Sequence, residues 1–330
     1  MDGPDTAGGL SLLLLSLVAS TVRLAAPLVL AALAGLNAER SGVIDIGLEG
    51  KMLAAAFAGA AVASLTGSAA LGLGAGIAAA FFLSLLHGAA AIIGGSDQIV
   101  SGMALNLIAA GATPSLASAW FGQRGTTPPL PAGARFGPIT LPLVQPLSEI
   151  PILGRVYTTV ISGHSLPVYL AWLALPLTAF ALARTRFGLR LRAVGESPEA
   201  VDAAGLSVAR LRFTALAVNG ALCGVAGVCL SMAQGNGFLR DMSAGRGYLA
   251  LAALIFGKWR PWPVLGACLL FAAADAVQAR LQGVALPAIG TVPVQFIQVL
   301  PYLITVAILA SFVGTARPPR ALGKPYSPAR

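Results

Sequence analysis

Charge is scarce in this chain. Only 10% of its 330 residues are Asp, Glu, Lys or Arg, against roughly 25% in an average soluble domain. A particle of this length cannot clothe itself in so little charge, which excludes an ordinary water-soluble globular fold. Histidine is nearly missing, with two residues, and cysteine stands at three. Cys223, Cys229 and Cys268 all lie in apolar runs, and an odd count without ligand spacing argues against disulfides and zinc. His87 and His164 stand apart from each other and from any Cys, so no metal site is expected. Neither a Ser/His/Asp set nor a phosphate-gripping Gly-Lys-Ser/Thr loop is found, so the chain is not expected to be an enzyme or to hydrolyse ATP itself.

Apolar residues, by contrast, make up 57% of the chain, and the mean hydropathy is +0.83. At about 20 residues per membrane-spanning helix, the length suits an all-α polytopic transmembrane bundle of about nine spans, with a range of about eight to ten. The formal charge of +9 comes almost wholly from Arg in loops. That pattern marks topology and lipid-headgroup contact rather than nucleic-acid binding.

The first run, Leu10 to Leu36, follows a leader with Asp2 and Asp5 and no Lys or Arg, so it reads as a membrane helix and not a cleaved signal. Arg23 within it either snorkels or faces the interior. Further runs are Met52–Leu65, Leu71–Ile93, Ile99–Trp120, Leu166–Ala183, Phe213–Met232, Val264–Val277 and Phe296–Val313. Tyr248–Phe256 is too short to span alone. Residues 121–165 hold seven prolines and form an external loop. The loop 184–212 is bracketed by Arg184, Arg186, Arg190, Arg192, Arg210 and Arg212, which places it in the cytoplasm. Lys258 and Arg260 mark a second inner edge, and the tail 314–330 a third, so the N-terminus is expected outside and the C-terminus inside. Gly and Ala crowd the spans, as in Ala54–Ala61, and let helix backbones approach closely in lipid.

Function in such a chain sits where polarity enters the apolar runs. Asp45 and Glu49 lie among Gly42, Gly47 and Gly50, a composition that permits a broken or re-entrant helix or, equally, an interfacial loop. Ser96 or Asp97 suits a helix N-cap, after which Ser101 and Asn106 fall inside a span. Gly235–Gly247, with Asp241 and Arg246, echoes the first patch: Gly-rich, charged, then an Ala-rich run. Such paired interruptions point to a site between repeats. Inside the 184–212 loop, Ser197 before Pro198 starts a short helix, Glu199 and Asp202 suit its first turns, and Gly205 closes it. Small Ala residues on its surface make it a knob shaped for a partner's socket.

Four segments, in order, carry a family likeness: Glu39-Arg-Ser-Gly-Val-Ile-Asp-Ile-Gly-Leu-Glu-Gly50, Ile99-Val-Ser-Gly-Met-Ala-Leu-Asn106, Gly188-Leu-Arg-Leu-Arg-Ala-Val-Gly-Glu196 with Ala203-Ala-Gly205, and Ser243-Ala-Gly-Arg-Gly-Tyr-Leu-Ala-Leu-Ala252 with Ile255-Phe-Gly257. Together they resemble the membrane permease subunits of bacterial ABC importers of the branched-chain amino acid and ribose-type class, most closely the simple sugar and nucleoside branch. The likeness runs from about residue 20 to 313; Asp45 departs from it, standing where many members carry Asn. The resemblance implies one transmembrane permease domain over 1–330 in the bacterial inner membrane. It also implies a second related permease, cytoplasmic ABC ATPase subunits that hold the ATP and Mg, and an extracytoplasmic substrate-binding protein; this chain itself would carry no cofactor. On that basis Arg192, Gly195, Glu196, Pro198, Ala200, Ala203 and Gly205 would form the coupling element. Asp45, Glu49, Ser101, Asn106, Asp241 and Arg246 are the candidates for the translocation path. The carboxylates are expected to pair with Arg246 or Arg40 more than to touch substrate, and removing Asn106 is expected to slow transport without lowering membrane abundance. The competing readings are a branched-chain amino acid permease of the same superfamily, an ion-driven secondary transporter and a membrane enzyme. The knob argues against the second, and the lack of a catalytic set against the third.

Overall fold

The computed structural model describes residues 5–142, 153–281 and 317–327, together with short pieces between them. The elements used below are α1 (Asp5–Arg40), α2 (Leu48–Thr66), α3 (Ala69–Gly88, continued by a π-helical turn Ala89–Ile93), α4 (Gln98–Phe121) and α5 (Leu166–Arg184). They continue with α6 (Arg186–Glu196), α7 (Pro198–Ala203), α8 (Val208–Val228, continued by a π-helical turn Cys229–Gln234), α9 (Arg246–Phe256) and α10 (Pro261–Leu281). Apart from the two-residue antiparallel pair Ala285–Leu286 and Gly290–Thr291, the named elements are helical.

Seven of these helices are long and apolar enough to cross a membrane: α1, α2, α3, α4, α5, α8 and α10. Each overlaps one expected run. The eighth, α9, has 11 residues and is the segment expected to be too short. The expected span Phe296–Val313 lies, apart from Val299, outside the described residues.

Helix α1 is the axis of the bundle. From Ala25 to Ala38 its side chains are almost all buried, and it packs against α5, α8, α9 and α10. A second group, α2, α3 and α8, meets through small residues. A Cβ on Gly227 would lie 2.2 Å from the carbonyl oxygen of Met52, and one on Gly76 2.3 Å from Val228. Backbone contact this close is how helices associate where lipid supplies no hydrophobic drive. The helix starts follow local chemistry: Asp97 caps α4, accepting the N–H groups of Ile99 and Val100 at 2.8 and 2.9 Å, and Ser197 caps α7 by accepting from Ala200.

One end of the bundle collects the end of α1, the α6–α7 hairpin, the α9–α10 turn and the segment 317–327. It carries Arg184, Arg186, Arg190, Arg192, Arg210, Lys258, Arg260, Arg317, Arg320 and Lys324, and is called the basic end below. At the opposite end residues 122–142 lie against 235–238, with Thr127 N–H donating to the Phe238 carbonyl at 3.1 Å. There Arg23, exposed, lines an open cleft of about 360 Å³ with Arg135, Phe136 and Ser165.

Candidate functional site

Between α1 and α2 the chain leaves helical geometry over residues 41–47, yet most of that segment is buried. Its backbone groups cannot be left bare at depth. The polar side chains of neighbouring helices supply the partners. Gln98 accepts the Ile44 N–H at 2.7 Å. His87 Nε2 lies 2.9 Å from the Ile44 carbonyl. A carbonyl only accepts, so Nε2 carries the proton, and Nδ1 accepts from the Ser101 hydroxyl at 3.1 Å. Asn106 donates to the Ile46 carbonyl at 2.9 Å, and Arg212 to the Ser41 carbonyl at 3.3 Å.

Asp45 faces the same interior. Its carboxylate lies 2.6 Å from Lys51 Nζ, and both residues are 0% exposed. Lys51 also donates to Asn219 Oδ1 at 3.0 Å, which takes a further bond from Ser84 at 2.9 Å. The expected partners Arg246 and Arg40 play no part in this pair. Lys51, one turn into an Ala-rich helix and six residues after Asp45, is the residue that sequence reasoning missed. The available signal was a lone cation in an apolar run, which has to find an anion.

Glu49, unlike Asp45, has no cationic partner among the described residues. It stands in the first turn of α2 and reaches across to the start of α9. There Oε1 accepts the Gly245 N–H at 2.8 Å and Oε2 the Gly247 N–H at 2.6 Å. Two helix N-termini therefore meet, and one carboxylate answers the positive end of both. Gly247 is required by this approach, since a Cβ there would sit 2.5 Å from the Glu49 backbone nitrogen. Asn106 closes the joint from α4. Its Oδ1 accepts the Gly50 N–H at 2.8 Å, and its Nδ2 donates to Tyr248 Oη at 3.0 Å as well as to Ile46. With a rise of 1.5 Å per residue, the 11 residues of α9 put the joint about 16 Å in from the basic end. That is about half of a roughly 30 Å hydrocarbon layer.

The structure thus gathers Asp45, Glu49, Ser101 and Asn106 around one helix break. Asp241 is not among them: it is exposed, in left-handed backbone (φ +53°), beside Arg240 at 3.4 Å. Arg246 is half-buried and donates to the Met242 carbonyl at 3.2 Å. Tyr248, 43% exposed beside the joint, is the side chain on this surface that sequence reasoning passed over.

At the basic end α6 and α7 form a hairpin that leaves Glu196, Glu199, Ala200, Ala203, Ala204 and Gly205 exposed. Arg192 is half-buried on α6, while Gly195 and Pro198 point inward. A Cβ on Gly195 would lie 2.3 Å from the Arg40 carbonyl oxygen, so only glycine lets the hairpin rest on the end of α1. Segment 317–327 straps it down. Ala321 N–H donates to the Gly195 carbonyl at 2.8 Å, Gly323 N–H to the Gly42 carbonyl at 3.0 Å, and Tyr326 Oη to Asp202 at 2.8 Å. Desolvation and the bond to Asp202 hold the Tyr326 hydroxyl above its usual range, so it stays a donor at neutral pH.

A polytopic bundle with two interrupted helices meeting inside it, and an exposed helical knob at one end, defines a membrane transport subunit. The chain belongs to the family described as the permease component of branched-chain amino acid transport systems, whose pattern matches residues 17–309. It is 37% identical over 317 residues to the guanosine ABC transporter permease protein NupQ of Bacillus subtilis, covering 94% of this chain and 96% of that one. To the nucleoside ABC transporter permease protein NupC of Lactococcus lactis it is 35% identical over 319 residues, again covering 94% and 96%. A Haloferax volcanii protein provisionally named a glucose ABC transporter permease, TsgC13, is 34% identical over 309 residues, with 89% and 90% covered. This is therefore a multi-pass ABC transporter permease subunit, and not an enzyme.

Proposed function

We propose that this permease carries a nucleoside inward, with a simple sugar as the second reading. The basic end would lie in the cytoplasm, where the Arg and Lys of its loops belong under the positive-inside rule. That orientation puts the N-terminus outside, residues 121–165 on the outer face toward a substrate-binding protein, and the strap 317–327 inside. The observation that carries the mechanism is the exposed helix Pro198–Ala203 mounted on the end of α1. A short rigid element with a small-residue surface fits a cleft on an ATPase that binds ATP and Mg. A second, related permease would complete the transporter.

The translocation path would pass the joint of α2, α4 and α9. Both N–H groups of Asn106 are spent on Ile46 and Tyr248, and both Glu49 oxygens on α9. These residues therefore hold the joint, and contact with a solute would fall to the half-exposed Tyr248, whose hydroxyl proton has no acceptor among the described residues and could donate to a ribose or base oxygen. Asp45 acts through Lys51 and Ser101 through His87, as supports of the break. Asp241 and Arg246 stand on the loop that leads into it.

Uptake of labelled guanosine into cells expressing the complete transporter, with unlabelled nucleosides and glucose as competitors, tests the substrate class. Nucleosides are expected to compete and glucose to have no effect; competition by glucose alone would overturn the nucleoside reading. Ala203→Trp should abolish that uptake at unchanged membrane abundance, and retained uptake would refute the docking role.

A further inference from the structure

The joint lies about 16 Å along α9 from the α9–α10 turn, and the proposed function leaves open how the knob moves it. The α9–α10 turn links the end of α1, on which the knob is seated, to α9. Lys258 and Trp259, both non-glycine, sit in left-handed backbone at φ +50° and +53°. Two bulky residues rarely hold that conformation unless their surroundings impose it. Two adjacent side chains at the end of α1 do so. Glu39 accepts the Trp259 indole N–H at 2.5 Å, and the Arg40 guanidinium donates through Nε and Nη2 to the Trp259 carbonyl at 3.0 and 2.6 Å. Trp259 and Glu39 are each 6% exposed, so the bond between them is sheltered from water, while the Arg40 bonds are part-buried. The backbone of Arg40 is also the surface against which Gly195 of the hairpin is seated.

The geometry points to a mechanical clasp: Glu39 and Arg40 are positioning residues that tie the knob to α9 through Trp259. A displacement of α6 against the end of α1 is delivered, through one strained turn, to the helix whose start carries Tyr248 and is held by Glu49. A clasp made of two side chains bonded to one residue, one of them a guanidinium gripping the carbonyl through two nitrogens, suits this task, because it resists both pull and twist. A turn held in an unfavourable conformation is also bistable, since release of the clasp lets it relax.

This inference rests on the knob being the ATPase docking element, and the test separates the two. The transporter is assembled with its ATPase, partner permease and binding protein in lipid vesicles. A nitroxide label is attached at Ile255→Cys, an exposed position on α9; the three native cysteines are buried. With Trp259 intact, ATP plus vanadate is expected to change the label's mobility. Trp259→Phe keeps the aromatic packing and removes the indole donor. It should abolish that change and lower solute imported per ATP hydrolysed about tenfold, the equivalent of about 1.4 kcal/mol, with ATP hydrolysis retained. With Trp259 intact, Glu39→Gln keeps an acceptor and should retain the response, whereas Glu39→Leu should lose it. A full response in Trp259→Phe would overturn the clasp alone. No response with Trp259 intact would overturn the docking role and the clasp together.

Discussion

Replacing Lys51 by Met tests whether the helix break is held by a buried ion pair. Met keeps most of the side-chain volume and removes the ammonium. Asp45 then keeps the Gly47 N–H at 3.2 Å and the neighbouring Asn219 amide, but no cation bonded to it among the described residues, in a position with no exposure. Breaking a buried pair from one side typically costs 3–5 kcal/mol, because the remaining charge is uncompensated. The loss has a ceiling, since the carboxyl can take up a proton instead. From an unperturbed pKa near 3.9, holding that proton at pH 7 costs about three units at 1.36 kcal/mol each, or about 4 kcal/mol. At roughly 2 °C per kcal/mol for a long chain, the midpoint should fall by about 8 °C. A thiol-reactive fluorogenic dye reads this directly, because Cys223, Cys229 and Cys268 are buried until the bundle opens. The sign with pH follows: the proton penalty shrinks as pH drops, so the variant should recover toward the parent between about pH 7 and pH 5, by about 2.7 kcal/mol. The double variant Asp45→Asn/Lys51→Met removes both charges and should be more stable than Lys51→Met by at least about 2 kcal/mol. Equal midpoints for the single and double variants, with no dependence on pH, would refute the buried-pair reasoning.

Other variants probe the joint and the knob. Glu49→Gln loses the acceptor for one of two backbone N–H groups and should cost about 1.5–3 kcal/mol, the worth of a hydrogen bond to a charged group; the same dye assay reads it. Asn106→Leu leaves the Gly50 N–H, the Ile46 carbonyl and the Tyr248 hydroxyl without their partner, so membrane abundance should fall together with transport on immunoblots. That reverses the expectation, drawn from residue type alone, that transport would fall at constant abundance. Gly195→Trp should also lower abundance, because any side chain there strikes the Arg40 carbonyl, whereas Ala203→Trp, on the exposed side, should leave abundance intact and abolish uptake. Tyr326→Phe removes one bond from the strap to Asp202 and should speed proteolytic cleavage of segment 317–327 several-fold, with the bundle's unfolding midpoint unchanged.

Several elements were legible in the sequence because they rest on local chemistry. The run lengths of the seven long helices, the Asp97 and Ser197 caps and the Pro198 start need no knowledge of the rest of the chain. The α7 knob was visible for the same reason: a capping serine, a proline and a closing glycine within nine residues. The resemblance between Gly42–Gly50 and Gly235–Gly247 showed two interruptions. It did not show that the two helix starts touch, since their contact joins residues nearly 200 positions apart. Nor could spacing choose the partner of Asp45. Arg40, Lys51 and Arg246 were all within conceivable reach, and only the packing of α2 against α8, with Asn219 at the same depth, selects Lys51.

By itself, then, the order of residues determined that the chain crosses lipid many times, where it is interrupted and which loop projects, because hydropathy, capping and charge asymmetry act over a few residues. The tertiary structure alone decided that the sparse polar side chains, His87, Gln98, Asn106, Arg212 and Lys51, serve the buried 41–47 segment. It also decided that α1 is the axis and that Glu39 and Arg40 grip Trp259. In a low-dielectric interior each unsatisfied group is expensive enough to demand a partner. Which partner it finds depends on helix contacts between residues far apart in the chain.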